Sequence, residues 1–165
     1  MPKKLWEPSK GLIRNSNLFA YEKFISKYYK YNFSRNYKKL LNWSVKNPED
    51  FWNSIWEYFE VKGKKTDKFK ITKDLINSKF FVNSKLNFAE NLLVKNSNQK
   101  AITFVSENGH REQKSWRELN IDVKKIITFY KKINISEKDR IAAYTPNQIE
   151  TVECFLSASA VGSIW

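Results

Sequence analysis

Few residues in this chain are equipped for covalent or metal chemistry. His110 is the only histidine and Cys154 the only cysteine. A lone imidazole serves as general base only beside a nucleophile or a second polar partner. Asn108-Gly109 precedes His110, the residue pair that favours a two-residue type I′ hairpin turn. The imidazole is therefore expected to face solvent beside a turn, and no catalytic role is assigned to it. One cysteine permits neither an intrachain disulfide nor a cysteine zinc cluster. Cys154 neighbours Phe155 on a helix flank and is read as packed rather than reactive. The glycines are Gly11, Gly63, Gly109 and Gly162, too far apart to form a glycine-rich phosphate loop. No catalytic, cofactor-binding or metal-binding residue is assigned within the chain.

Lys+Arg number 30 against Asp+Glu 17, a net charge of +13. Such a balance suits an anionic partner. Because the lysines are spread along the chain, a solvated basic surface is the expected reading. A basic nucleic-acid-binding module is the alternative, but the tryptophans fall at helical spacing among apolar partners and are expected to point inward. No stretch is apolar for long enough to span a bilayer, and Met1–Trp6 lacks the apolar run of a signal peptide. A reducing, cytoplasmic setting without a membrane or nucleic-acid partner follows as the expectation.

Residues 1–16 read as an extended or loosely docked arm. Leu18, Tyr21, Phe24, Ile25 and Tyr28 recur at helical spacing, capped by Ser16 or Asn17 and ending near Asn32. No element is assigned to residues 33–45. A helix then starts at Asn47-Pro48-Glu49-Asp50, with Asn47 as cap, and carries Phe51, Trp52, Ile55, Trp56 and Phe59 on one stripe. Residues 61–79 suggest a short strand or an irregular crossing, and Asn83 a left-handed turn. The organising stretch is Leu86–Leu93. In it Asn87 is placed to cap a helix, with Glu90 three residues on to reach back.

The pattern changes after Asn96. Ala101–Val105 and His110–Lys114 read as paired strands, and Ser115-Trp116-Arg117-Glu118 as a capping box. The helix behind the box presents Leu119, Val123, Ile126, Ile127 and Tyr130, closed by a left-handed Asn134. Arg140–Thr145 reads as a buried strand. Asn147 with Glu150 opens a last helix through Ile149, Val152 and Leu156, which stops at Gly162 before Ser163-Ile164-Trp165 starts another strand. Strand, helix, strand alternation is the mark of a parallel α/β sheet.

Four separated patches together resemble the N-terminal region of acyl-CoA synthetases of the adenylate-forming superfamily. The first is Tyr37, Leu40 and Trp43-Ser44-Val45 with Asp50-Phe51-Trp52 and Trp56. The second is Phe81 with Leu86–Leu93. The third is Asp139–Ala142 with Tyr144, Pro146 and Asn147, and the fourth is Ala158–Trp165. Within the superfamily the acetoacetate–CoA ligase branch is the most similar; an acetyl- or propionyl-CoA synthetase is the alternative. The family carries tryptophan where Phe80 stands and glycine at Asn83 and Asn134, positions where asparagine can also adopt a left-handed backbone.

The resemblance implies a helical module over residues 1–95 and the beginning of an AMP-binding domain, helices and a parallel sheet, over 96–165. It implies a ligase that joins acetoacetate to CoA through an acyl-adenylate, with ATP, CoA and Mg²⁺ in the whole enzyme. The family's phosphate loop, adenine motif and catalytic lysine lie beyond the position of Trp165. The chain is thus expected to be an incomplete part of a longer protein and inactive alone.

Overall fold

The computed structural model describes residues 5–165, so the expected N-terminal arm is described from Leu5 onward. Two compact units divide the chain. One comprises the residues up to Val61 with Lys65–Ser84; the other comprises Lys62–Lys64 with Lys85–Trp165.

The first unit is helical: α1 (Lys10–Arg14), α2 (Asn17–Tyr28), α3 (Tyr37–Lys46) and α4 (Pro48–Tyr58). The expected arm therefore contains a short helix, whose start Ser9 caps by accepting from the Leu12 N–H. Ser16 rather than Asn17 caps α2. The helix ends at Tyr28, four residues before the expected stop near Asn32, and Lys30 follows in a left-handed conformation (φ 54°). α3 occupies a stretch for which no helix was expected. Asn36 caps it by accepting from the Lys39 N–H, and its Leu40 and Trp43 are buried.

Asn47 is not the side-chain cap of α4. It separates two consecutive helices, and its amide turns back to donate to the Trp43 carbonyl of α3 at 3.1 Å. Its backbone carbonyl still accepts from Phe51, and Pro48, Glu49 and Asp50 provide the start of α4.

The core of this unit is Tyr21, Ile25, Phe33, Leu40 and Trp43, with Phe24, Tyr29, Phe51, Ile55 and Tyr58 packed against it. Trp43 is the aromatic hub, with ring centroids 5.6 Å from Phe33, 6.2 Å from Tyr29 and 6.3 Å from Phe51. Ser54 is buried and donates to the Phe51 carbonyl at 2.7 Å. Its single proton is thereby used, so Tyr21 is the donor in the 2.6 Å Tyr21–Ser54 hydrogen bond. The stripe on α4 splits between partners. Phe51 and Ile55 meet the core, Trp52 packs on Phe80 and Trp56 on Phe81, while Phe59 remains 65% exposed.

The second unit contains α5 (Phe88–Leu92), an antiparallel hairpin of β1 (Lys100–Val105) and β2 (Arg111–Ser115), α6 (Trp116–Lys132) and α7 (Ile149–Val161). The hairpin turn differs from the expected type I′ form, which needs a positive φ at both central residues. Only Gly109 has one (φ 82°). Gly109 N–H bonds to Ser106 O, and Ser106 N–H bonds to His110 O. The connection is thus a type I turn closed by a left-handed glycine, the usual three-residue hairpin loop.

The capping box before α6 is complete: Ser115 Oγ accepts from the Glu118 N–H, and the Glu118 carboxylate accepts from the Ser115 N–H at 2.8 Å. Leu119 and Val123 of α6 pack with Ala89 and Leu156 in the core, flanked by Ala101, Ile102, Trp116 and Phe155. Asn134 and Asn83 both adopt left-handed backbones (φ 60° and 68°), so asparagine meets the conformational demand there.

Arg140–Thr145 is extended but is not the buried strand expected. One parallel bridge joins Arg140 to Ile164, with Ile141 N–H to Ile164 O at 2.8 Å and Ile164 N–H to Asp139 O at 2.7 Å. From Ala142 to Thr145 the residues are exposed, Tyr144 fully. Among the described residues no strand pairs with this stretch beyond that bridge, so its side chains have nothing to bury against. Segment, α7 and returning segment nevertheless form the first unit of a parallel α/β arrangement.

Candidate functional site

The second patch of the sequence works as a structural clamp. Asn87 Oδ1 accepts from the Glu90 N–H at 3.1 Å and caps α5. Unlike Ser115–Glu118, the Asn87–Glu90 pair does not close a reciprocal capping box. The same Asn87 amide donates to the carbonyls of Ser159 and Ala160 at 2.9 and 3.3 Å, in the last turn of α7. Those carbonyls lie in the last turn, where intrahelical donors run out; Ser159 O also accepts from the Gly162 N–H at 3.1 Å. One side chain therefore satisfies the start of one helix and the end of another.

Asn91, one turn further along α5, forms a second clamp. Its Oδ1 accepts from the Lys62 N–H at 2.8 Å, and its Nδ2 donates to the Lys62 carbonyl at 2.9 Å. The amide acts as one rung of a β-ladder. Beside it Lys64 and Lys85 pair as an isolated bridge. Gly63 is required here because a Cβ would lie 2.6 Å from the Lys85 carbonyl oxygen. Spacing pointed to the Asn87 cap. It carried no sign of Asn91, whose partner is 29 residues away.

Leu86–Leu93 of the second patch lies in one unit with patches three and four, while its Phe81 lies in the helical unit: Asn87 ties the second to the fourth, and the Arg140–Ile164 bridge ties the third to the fourth. Tyr37–Trp56 of patch one lies in the helical unit.

A charged network unforeseen in the sequence joins β2, α6 and α7. Lys114 Nζ donates to Asp122 Oδ2 at 2.8 Å and to Glu153 Oε1 at 2.7 Å; Lys125 Nζ meets Asp122 Oδ1 at 2.8 Å. Side-chain exposure is 18% for Lys114, 25% for Asp122 and 4% for Glu153. Burial by itself lowers the Lys114 ammonium, but the hydrogen bonds to Asp122 and Glu153 outweigh it and hold the amine well above its ordinary range. Hydrogen bonds from Lys114 and Lys125 hold Asp122 below the usual carboxylate range. A sequence signal existed in Glu153, a carboxylate at helical spacing between the buried Ile149 and Leu156. Buried charge at such a position requires a partner.

This network pairs two cations with two carboxylates and leaves no unpaired group aimed at a cavity, so its chemistry is cohesive rather than catalytic. His110 is exposed; its peptide N–H donates to Asn108 Oδ1, and its ring lies 6.3 Å from Phe104. Cys154 is half-buried against Tyr130. Burial first, then the charge of the neighbouring thiol and the hydrogen bond to it, push the Tyr130 phenol up to about 12. Among the described residues no three His, Cys, Asp or Glu side chains form a group that could hold a metal ion. The dispersed glycines do not form a cradle for the phosphates of ATP or CoA; Gly162 serves as the left-handed end of α7 (φ 83°). These residues do not fit a nucleotide-phosphate loop.

Residues 37–92 match the family described as "Acetyl-coenzyme A synthetase N-terminus". The acetoacetyl-coenzyme A synthetase of Rhizobium meliloti is 30% identical over 98% of this chain and 25% of its own length. The acetoacetyl-CoA synthetase of Xenopus tropicalis is 35% identical over 79% of this chain and 20% of its own. The solved structure of acetoacetyl-CoA synthetase from Streptomyces lividans superposes with a TM-score of 0.86, at 23% identity, over 99% of this chain and 26% of that one. The chain spans about a quarter of the length of the relatives it matches.

Proposed function

We propose that this chain, an acyl-CoA synthetase N-terminal segment over residues 37–92 and similar to the N-terminal quarter of acetoacetyl-CoA synthetases, is the scaffold part of an acetoacetate–CoA ligase. In the whole protein, acetoacetate would be activated by ATP with Mg²⁺ as the acyl-adenylate, releasing pyrophosphate. The thiol of CoA would then take the acyl group and release AMP. The carrying observation is similarity to acetoacetyl-CoA synthetase along 98% of the chain.

The chain's own residues hold the frame. Asn87, Asn91 and the Lys114 network join α5, the hairpin, α6 and α7 into one unit. Residues 1–95 are proposed as the helical module and 96–165 as the start of the AMP-binding domain. A cytoplasmic site is proposed as well; no helix among the described residues is long and apolar enough to cross a membrane.

Acetoacetate is favoured over acetate by the acetoacetyl-CoA synthetases among the relatives. A malonamoyl-CoA synthetase from Penicillium aethiopicum, 26% identical over 98% of the chain, shows that proteins with other named substrates share this region. The test is an ATP- and CoA-dependent assay of the full reading frame on acetoacetate, acetate and propionate, reading AMP and the thioester. Acetoacetate should be turned over fastest. Turnover of acetate or propionate alone would reject the acetoacetate assignment.

A further inference from the structure

The helical unit contains a second feature that the ligase reading does not use. A cleft of 670 Å³ lies between α2 and the loop that follows it, lined by Phe19, Glu22, Lys23, Lys27, Asn32 and Arg35, among others. That volume falls within the range of small-ligand pockets.

Three cations face this cleft. Lys23 Nζ lies 4.7 Å from the centroid of the Phe19 ring, and the Arg35 guanidinium lies 5.3 Å from the same centroid. One electron-rich ring therefore gathers two like charges. Lys27 lines the cleft one turn along α2 from Lys23, its Nζ resting 4.8 Å from the centroid of the Tyr28 ring. Among the described residues none of the three forms an ion pair. Glu22 supplies one carboxylate, influenced electrostatically by Arg35 without a direct contact. Three positive charges against one negative, with a concave wall behind them, focus a field on an incoming anion.

The loop presenting Arg35 is held in an unusual form. Ser34 and Arg35 are consecutive non-glycine residues with left-handed backbones, φ 52° and 58°. Such conformations persist only when the surroundings hold them. Here Asn32 Oδ1 accepts from the Ser34 N–H at 2.8 Å, the Asn36 N–H bonds to the Phe33 carbonyl, and Phe33 is buried in the core. The result aims a planar, five-donor guanidinium back across the cleft toward α2.

We propose that this cleft binds a phosphate-bearing small molecule, with the phosphoryl oxygens held by Arg35, Lys23 and Lys27. Arg35 takes two oxygens by its fork of N–H donors, and the two ammonium groups offset the remaining charge. The anion relieves the repulsion between cations that Phe19 draws together. The proposal concerns binding alone and stands whether or not the ligase assignment holds.

Calorimetric titration of the protein with pyrophosphate and with AMP tests it, using R35Q and K27Q as variants and K38Q, outside the cleft, as control. The wild-type protein should bind, and R35Q should weaken binding by about tenfold or more, the scale of losing one charge-assisted bidentate contact. K27Q should weaken it less, and K38Q should titrate as wild type. Tighter binding of AMP would assign a nucleotide, and tighter binding of pyrophosphate a free polyphosphate; both support the site. Circular dichroism identical to wild type ensures that a loss in R35Q is not unfolding. Absence of heat at millimolar ligand, R35Q binding as tightly as wild type, or R35Q-sensitive binding of single-stranded RNA without binding of the small phosphates would each overturn the proposal.

Discussion

Asn87 donates its side-chain amide to the carbonyl of Ser159 at 2.9 Å, across 72 positions of sequence, while its oxygen caps α5. The residue that opens the most regular motif in the chain thereby closes its last helix. The substitution N87A removes the cap, leaves the Ala160 carbonyl without the Asn87 donor and leaves the Ser159 carbonyl with the Gly162 N–H alone. A cap costs about 1 kcal/mol and a part-buried orphan about as much again, so a loss of ~2 kcal/mol is expected in urea unfolding. The substitution N87D keeps the capping oxygen but turns an acceptor toward two carbonyls, and it should not rescue. Wild-type stability in N87A would show that α5 and α7 are held by apolar packing alone.

The charge network predicts an ordering of variants. Replacing Lys114 by Met strands Glu153, which has only 4% exposure, and removes one of the two partners of Asp122. A loss of about 3 kcal/mol is expected, the scale of breaking a buried pair. Replacing Lys125, 71% exposed, should cost no more than about 0.5 kcal/mol. Equal losses for K114M and K125M in chemical denaturation would contradict the buried character of the pair.

Acid should weaken the same network. Asp122 is held below its ordinary value by hydrogen bonds from Lys114 and then Lys125. A carboxylate depressed in the folded state stabilises fully above its unfolded value, about 3.9, and that stability is lost as pH falls through the folded value. The gap in melting temperature between wild type and D122N should therefore be constant from pH 6 to about pH 5 and shrink below about pH 4. At the alkaline end the sign reverses. Lys114 is raised, so its contribution is present below about pH 10.4 and lost only above it. A gap that widens on acidification would refute the assignment.

Glycine substitutions separate close approach from conformation. In G63A the new Cβ meets backbone oxygen at 2.6 Å, which no side-chain rotation can relieve. In G109A the φ of 82° is strained but nothing lies within 4 Å of the new atom. G109A should cost ~1 kcal/mol and G63A at least twice that by thermal unfolding. The reverse order would mean that the Lys64–Lys85 bridge yields easily.

Much of the local structure was legible. The Ser115–Glu118 capping box, the left-handed Asn83, Asn134 and Gly162, and the Asn87 cap all rest on bonds or dihedrals within a few residues. Errors arose where a residue had two possible partners. Asn47 looked like the cap of α4 and bonds to α3 instead. Asn147 looked like the cap of α7, yet Gln148 holds that position without a side-chain bond. The pair Asn108-Gly109 suited a two-residue turn, but the strand register placed it in a three-residue loop.

By itself the sequence determined the starts of α5 and α6 and the pairing of the hairpin, since these follow from short-range periodicity and side-chain chemistry, while the four patches carried a family resemblance. Only the tertiary structure decided that Lys114 meets Glu153, that Asn91 pairs with Lys62, and that Lys23 and Arg35 share the ring of Phe19. The Arg35–Phe19, Asn91–Lys62 and Lys114–Glu153 contacts join residues 16 to 39 positions apart. Sequence spacing carries no information about such pairs until packing brings the elements together, because a charge or an amide is compatible with solvent as readily as with a partner.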